Sequence, residues 1–117
     1  MRILIVDDNQ DLAIILKSIL EDEGYMVSLA KDGREGYSAF LLFKPDLILT
    51  DIQMPEQNGL ELMERIRWHD PKVRTIYMSG DLGQYWSFLE EEKNKYRVGV
   101  LEKPFSKDQL ISLLPQS

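Results

Sequence analysis

Short apolar runs alternate along the chain with longer amphipathic segments. Four of these runs are clear and a fifth is weaker; they span residues 3–6, 26–29, 47–49, 73–78 and, most weakly, 98–101. Runs of this length and composition predict strands. Near-continuous apolar strands that alternate with helices are typical of a parallel sheet, because each crossover helix covers one face of the sheet. We therefore predict an α/β sandwich built on a five-stranded parallel sheet.

The segment after the first run has the clearest helical period. Its apolar residues recur at i, i+3, i+4, i+7 and i+8, and they are Leu12, Ile15, Leu16, Ile19 and Leu20. This spacing predicts an amphipathic helix that buries these five side chains on one face and ends at Gly24.

Capping residues and prolines mark the other element boundaries. A capping side chain stands three residues before a Glu or Gln in the pairs Asp32 and Glu35, Asn58 and Glu61, and Ser106 and Gln109. Each pair predicts a helix start. Pro45 and Pro71 precede the third and fourth strands, where they block helix extension.

Length and composition exclude several classes of function. The 117 residues fit one domain, and we expect residues 1–117 to form a single domain without an effector domain. A net charge of -6 argues against unaided nucleic-acid binding, which relies on clustered Lys and Arg. The absence of cysteine excludes disulfides, thiolate catalysis and cysteine-ligated zinc. The sequence contains neither a signal peptide nor an apolar run long enough to span a membrane, so we expect a soluble, cytoplasmic protein.

Polar and charged residues follow four of the five predicted strands. Asp7 and Asp8 come after the first strand, Asp51 after the third, Ser79 after the fourth and Lys103 after the fifth. The carboxyl ends of parallel strands lie at one edge of the sheet, where ligands bind near the topological switch point. These five side chains are therefore expected to meet at that edge.

The chemistry of this set points to a divalent cation and a phosphoryl group. Three crowded carboxylates repel one another unless a cation lies among them, and all-oxygen ligands suit Mg²⁺ or Mn²⁺ better than zinc. The ammonium of Lys103 can place a second positive charge near a phosphoryl group, and the Ser79 hydroxyl can donate to it. Asp51 can then act as the nucleophile that forms an acyl phosphate.

Each residue also has an ordinary structural interpretation. An Asp pair after a strand is often a helix cap, Asp51 could be a turn residue, and Lys103 could be a surface lysine before a proline. Ser79 followed by Gly is common turn chemistry. These separate interpretations do not explain why all the residues fall at the same edge.

Four segments together resemble the response-regulator receiver family, and the resemblance covers essentially the whole chain. They are ILIVDDN at residues 3–9, DLILTDIQMPEQNG at 46–59, TIYMSG at 75–80 and LEKPF at 101–105. The resemblance implies a flavodoxin-like, doubly wound (βα)5 fold with strand order 2-1-3-4-5. It also implies a cis peptide between Lys103 and Pro104.

The same resemblance implies a role for each site residue. Asp51 would be the phosphoacceptor, Lys103 and Ser79 would contact the phosphoryl group, and Mg²⁺ or Mn²⁺ would be held by Asp8, Asp7, Asp51 and the backbone carbonyl of Gln53. Gln53 and Asp81 would tune the attack of water on the acyl phosphate. The domain would be a signalling switch rather than an enzyme with an external substrate. A histidine kinase or histidine phosphotransfer protein would donate the phosphate, a downstream effector protein would respond, and phosphorylation-dependent dimers would form.

Two other functions fit this sequence less well. A magnesium-dependent phosphohydrolase with an aspartyl-phosphate intermediate usually has a second acid two residues after the nucleophile, but Gln53 stands there and cannot transfer a proton. A flavodoxin-like electron carrier would need a phosphate-binding loop after the first strand. The Asp7-Asp8-Asn9 sequence would instead repel a cofactor phosphate.

The chain departs from the family pattern in one position and one segment. Val100 stands three residues before Lys103, where the family often has Tyr or Phe. The segment 80–99 is unusual, so we expect a displaced, lengthened or mobile fourth helix. The aromatic residues within 85–89 have two readings, as core or as a partner contact. Residues 90–97 are expected to form a solvated helix end.

Overall fold

In the computed structural model, which describes residues 1–115, strands and helices alternate along the chain. The last two residues of the predicted 1–117 domain lie outside the described residues. In chain order the elements are β1 (Arg2–Val6), α1 (Gln10–Asp22), β2 (Met26–Ala30), α2 (Gly33–Phe43), β3 (Leu47–Asp51), α3 (Gly59–His69), β4 (Arg74–Ser79), a 3-10 turn (Leu82–Tyr85), α4 (Trp86–Lys95), β5 (Val98–Glu102) and α5 (Lys107–Ser112).

The five strands form one parallel sheet in the order β2-β1-β3-β4-β5, which confirms the predicted topology. From β1 the chain first moves outward to β2 and then crosses back to β3 on the other side of β1. The switch point therefore lies between β1 and β3. In the sheet, Val6 pairs with Thr50 and Asp51 pairs with Met78, so the carboxyl ends of the central strands are nearly level.

Alternate residues of each strand face opposite sides of the sheet, which creates two cores. Leu4 and Ile48 lie in the core beneath α2, α3 and α4, whereas Ile3 and Leu49 lie in the core beneath α1 and α5. Both faces are thus covered, as predicted for a parallel sheet. Across the described residues, the helices are too short or too polar to cross a membrane.

Helix boundaries follow the predicted signals. The side chains of Asp32, Asn58 and Ser106 accept hydrogen bonds from the backbone N–H three residues on, and Asn58 and Ser106 form reciprocal capping boxes. Gly24 follows the end of α1 with a φ of +94°, a conformation that glycine adopts without a steric cost.

The predicted apolar face of α1 is partly wrong. Leu16 and Leu20 are buried together with Ala13, but Ile15 is 57% exposed. Successive helical residues are rotated by about 100°, so Ile15 lies beside the stripe that Leu16 occupies rather than within it. Leu12 and Ile19 flank the buried stripe and are only partly covered.

The segment between β4 and β5 contains a 3-10 turn followed by α4, which is no longer than α3. Leu89 is fully buried and Tyr85 packs against the core, whereas Trp86 and Phe88 are exposed. Tyr85 and Leu89 therefore belong to the core, while contact of the exposed Trp86 and Phe88 with a partner stays a prediction. The expected solvated helix end is wrong for Glu92, which is buried because it pairs with groups beneath α4.

Candidate functional site

Asp7 follows β1 directly and is fully buried. Its backbone N–H donates to the carbonyl of Ala30 at 3.1 Å, which extends the pairing of β1 with β2 by one residue. Its Oδ1 accepts from the backbone N–H of Asn9 at 2.9 Å, and the Asn9 side chain in turn caps α1. The β1–α1 loop therefore fixes the Asp7 carboxylate at the edge of the sheet.

Asp51 is the last residue of β3, and only 7% of it is exposed. The Thr50 hydroxyl donates to its carbonyl oxygen at 3.0 Å. Gly59, at the start of α3, packs so closely that a Cβ there would collide with the Asp51 carbonyl oxygen. The contacts of Thr50 and Gly59 with the Asp51 carbonyl thus fix the backbone from which the Asp51 carboxylate extends.

The three predicted carboxylates do come together. One oxygen from each of Asp7, Asp8 and Asp51 lies within 4.8 Å of the other two. Asp7 and Asp51 are buried and Asp8 is exposed, so the cluster opens to solvent on the Asp8 side. The arrangement gives a ligand access to an otherwise buried acidic group.

Lys103 reaches the same cluster from β5. Its ammonium lies 3.1 Å from Oδ2 of Asp7 and 3.3 Å from Oδ2 of Asp51. Its backbone N–H donates to the carbonyl of Ser79 at 2.8 Å, which holds the residue after β5 against the end of β4. The peptide bond between Lys103 and Pro104 is cis, as the family resemblance implied.

Burial and charge act in opposite directions on this cluster. Burial raises the pKa of the Asp51 carboxyl; the Lys103 ammonium lowers it and Asp7 raises it again, and the net result is a raised pKa. Burial by itself would lower the pKa of Lys103, but the carboxylates of Asp51 and Asp7 outweigh burial and raise it. The site therefore keeps a charged lysine beside the Asp51 carboxyl, whose ionisation burial makes costly.

The other predicted residues lie at the same edge with different partners. Ser79 is fully buried, and its Oγ accepts from the backbone N–H of Asp81 at 3.0 Å. Gln53 is exposed, and its side-chain amide donates to Oε1 of Gln84 at 3.4 Å. The Asp81 carboxylate accepts from the backbone N–H of Gln84 at 3.3 Å. A chain of hydrogen bonds therefore joins the residues that follow β3 and β4.

The donor set fits a hard divalent cation. Mg²⁺ binds oxygen at about 2.1 Å, so ligands on one ion lie roughly 3–4 Å apart. Carboxylate oxygens within 4.8 Å of one another need only a small contraction to share it. Asp7, Asp8 and Asp51 would hold the ion, which would supply positive charge for a phosphate group.

A second polar cluster, beneath α3 and α4, was not predicted. Arg67 on α3 pairs with Glu92 on α4 and donates to the Thr75 hydroxyl at 3.1 Å, and the Tyr77 hydroxyl donates to Glu92 at 2.7 Å. Burial raises the pKa of the Tyr77 hydroxyl above its usual range. The signal in the sequence was Arg67 itself, a charged residue among the buried positions of α3, next to Ile66.

The family of the chain follows from this fold and site. A model of the response regulator receiver domain family matches residues 3–115. The chain belongs to that family, whose members are the phosphoacceptor domains of two-component signalling.

Several relatives are similar over nearly the whole chain. Chemotaxis protein CheY of Thermotoga maritima is 34% identical over 114 residues, covering 97% of this chain and 93% of CheY. Transcriptional regulatory protein DltR of Streptococcus agalactiae is 31% identical over 115 residues, covering 96% of this chain but 49% of DltR. The chain thus spans about half the length of DltR-like relatives.

One solved structure of a relative is similar over nearly the whole chain. The response regulator TrrA of Thermotoga maritima, in complex with Mg²⁺ and BeF, is 31% identical to this chain and superimposes with a TM-score of 0.77. The match covers 97% of this chain and 98% of TrrA. The two share the doubly wound architecture described above.

Proposed function

We propose that Asp51 is the residue that accepts the phosphoryl group, with Lys103 and Ser79 contacting it and with Asp7, Asp8, Asp51 and the Gln53 carbonyl holding Mg²⁺ or Mn²⁺. The contact of the Lys103 ammonium with both Asp7 and Asp51 carries this proposal. A cation held beside a buried nucleophilic carboxylate is the arrangement that phosphoryl transfer needs.

The positions of the protein groups support the following transfer. An oxygen of the Asp51 carboxylate forms a bond to phosphorus while the bond from phosphorus to the donor breaks, and the electron pair leaves with the donor. The Lys103 ammonium lies where it can turn from the carboxylates to the phosphoryl oxygens. The Ser79 hydroxyl, which accepts rather than donates in its bond with Asp81, keeps its proton for those oxygens. A bound Mg²⁺ would supply further positive charge to the same oxygens.

We infer that the donor is a histidine kinase or a histidine phosphotransfer protein, and that a downstream effector protein reads the phosphorylated state. We further propose that residues 1–117 act as one receiver domain that catalyses only its own phosphorylation and dephosphorylation. Two relatives, the chemotaxis protein CheY and the transcriptional regulatory protein DltR, support an effector interaction that varies across the family.

A phosphohydrolase acting on an external substrate is less well supported. Such an enzyme needs a proton donor close to the nucleophile, and the residue two positions after Asp51 is Gln53, whose amide neither gains nor loses a proton at ordinary pH.

Labelling with a small phosphodonor tests the assignment of Asp51. The wild-type protein, incubated with acetyl phosphate and Mg²⁺, should gain the mass of one phosphoryl group in intact-mass spectra, and Asp51→Asn should gain none. Asp22→Asn is the matched control, because Asp22 ends α1 and is exposed. Equal labelling of the Asp51→Asn protein would show that another residue is the acceptor.

A further inference from the structure

A groove runs between α3 and α4, on the side of α4 away from β5 and α5. It has a volume of about 480 Å³ and lies apart from the acidic cluster. Two large aromatic side chains border it: Trp68 on α3 is 85% exposed and Phe88 on α4 is 42% exposed. Exposed aromatic rings at the border of a concave surface are typical of a protein contact site.

Each wall of the groove has apolar side chains near both of its ends. α3 contributes Leu60, Glu64 and Trp68 at i, i+4 and i+8, which places them on one stripe. α4 contributes Phe88 near its start and Tyr96 just beyond its end. Both helices start at the carboxyl edge of the parallel sheet. Leu60 and Phe88 therefore lie toward one end of the groove and Trp68 and Tyr96 toward the other, with the Glu64 carboxylate between them.

The floor of the groove is polar but already neutralised. Arg67 and Glu92 pair there, and the Tyr96 ring covers the Arg67 guanidinium at 3.9 Å. On the wall, Glu91 is paired with Lys95 at 3.1 Å. Among the described residues, Glu64 has neither a salt-bridge partner nor a side-chain hydrogen bond. The groove therefore offers one unpaired negative charge between two apolar ends.

We propose that this groove binds an amphipathic helix of another protein, with two large apolar side chains about two turns apart and a Lys or Arg between them. Leu60 and Trp68 are separated along α3 by about 12 Å, at 1.5 Å per residue, and residues i and i+7 of an incoming helix span a similar length. A basic residue at i+3 or i+4 of that helix would meet Glu64. This is helix-in-groove recognition with charge complementarity at its centre.

A second copy of this chain fits the groove less well. A two-fold dimer across this surface would bring the same patch of both copies together, and with it the Glu64 carboxylates. The chain also carries a net charge of -6, which opposes self-association at an acidic surface. Charge thus favours a basic partner helix.

Peptide binding tests the proposal directly. The probe is a fluorescein-labelled, capped helical peptide of about 16 residues with Leu at i, Lys at i+3 and i+4, and Trp at i+7, in an Ala and Gln background. Fluorescence anisotropy should show saturable binding to the wild type, and Trp68→Ala should weaken it by about tenfold or more. Leu42→Ala is the matched control, because Leu42 is 86% exposed on α2 and should bind like the wild type.

A charge swap tests the centre of the groove. A peptide with Glu in place of both Lys residues should bind the wild type at least about fivefold more weakly, and Glu64→Lys should restore its binding. The proposal is overturned if the Lys peptide does not bind, if Trp68→Ala binds as well as the wild type, or if the swap restores nothing. Sedimentation of the protein alone tests whether a second copy occupies the groove. Self-association that is abolished in Trp68→Ala would show this and would overturn the proposal of a partner helix.

Discussion

The carboxylate of Glu92 on α4 accepts a hydrogen bond from the hydroxyl of Tyr77 on β4 at 2.7 Å. Arg67 on α3 pairs with the same oxygen, so one buried carboxylate joins two helices to the sheet. In α4 only Leu89 and Glu92 are buried. The position of α4 therefore depends on a polar contact as much as on an apolar one.

Removing the Glu92 carboxylate should destabilise the domain strongly. Glu92→Ala leaves the buried Arg67 without its counter-charge, and we expect a loss of about 3–5 kcal/mol in the free energy of unfolding, measured by urea denaturation. Glu91→Ala is the control, because its pair with Lys95 is exposed to solvent and should contribute little to stability. Equal losses for the two variants would show that the buried pair has no special role.

Replacing both members of the buried pair should cost less than the two single changes suggest. Arg67→Met combined with Glu92→Leu removes both charges at once, so no ion is left unpaired. We expect the double variant to be at least about 2 kcal/mol more stable than the sum of the single losses predicts. A double-mutant cycle of urea unfolding measures this difference, and additive losses would contradict it.

The raised pKa of Asp51 predicts a pH-dependent gain in stability for Asp51→Asn. The pKa of Asp51 is higher in the folded state than in the unfolded chain, so the folded state binds the proton more tightly. Its stability therefore falls as the pH rises from the unfolded pKa to the folded pKa. In EDTA at neutral pH, Asp51→Asn should therefore melt at a higher temperature than the wild type. The difference should shrink as pH approaches 3.8, the ordinary value for Asp.

The control for this measurement is Asp22→Asn, whose exposed side chain should leave the melting temperature unchanged at both pH values. A wild-type protein that melts above Asp51→Asn at neutral pH would mean that the contact with Lys103 outweighs burial.

Mg²⁺ should stabilise the wild type through the carboxylate cluster. At ten times the dissociation constant, a ligand that binds only the folded state adds about 1.4 kcal/mol to the free energy of unfolding. Thermal unfolding with and without MgCl₂ measures the gain, which should be lost in Asp8→Asn. Asp8 is exposed, so this change leaves the core intact. An unchanged Mg²⁺ effect in Asp8→Asn would remove that residue from the ligand set.

Gly59 should tolerate no side chain. In Gly59→Ala the new Cβ would overlap the Asp51 carbonyl, a backbone atom that cannot turn away, so we expect a loss of about 1–3 kcal/mol and weaker Mg²⁺ binding. Gly80→Ala is the matched control, since a Cβ there meets nothing within 4 Å. Urea denaturation and calorimetric Mg²⁺ titration of both variants measure the two effects.

Local signals in the sequence predicted the parallel α/β architecture because each agreed with the others, whereas the strand order was implied by the family resemblance. Apolar runs located the strands to within one or two residues, and Asn58 and Ser106 located two helix starts through their capping boxes. The meeting of Asp7, Asp51 and Lys103 also followed from the sequence, because parallel strands must end at one edge.

The remaining features depend on tertiary contacts that periodicity does not encode. Ile15 has the same hydrophobicity as its buried neighbours, and only the exact placement of α1 leaves it exposed. Glu92 lies in a run of three glutamates, and what distinguishes it from Glu90 and Glu91 is a partner on another helix. A buried ion pair is a property of two distant residues, so one segment alone cannot reveal it.

Lys103 also bears on how the domain folds. Its ammonium reaches from β5 past two intervening strands to the carboxylate beyond β1, and it touches the carboxylate of β3 on the way. The polypeptide thus supplies its own counter-charge to the two buried carboxylates of the acidic cluster. Folding of the sheet therefore does not require a metal ion, and the acidic site can form before the domain receives a signal.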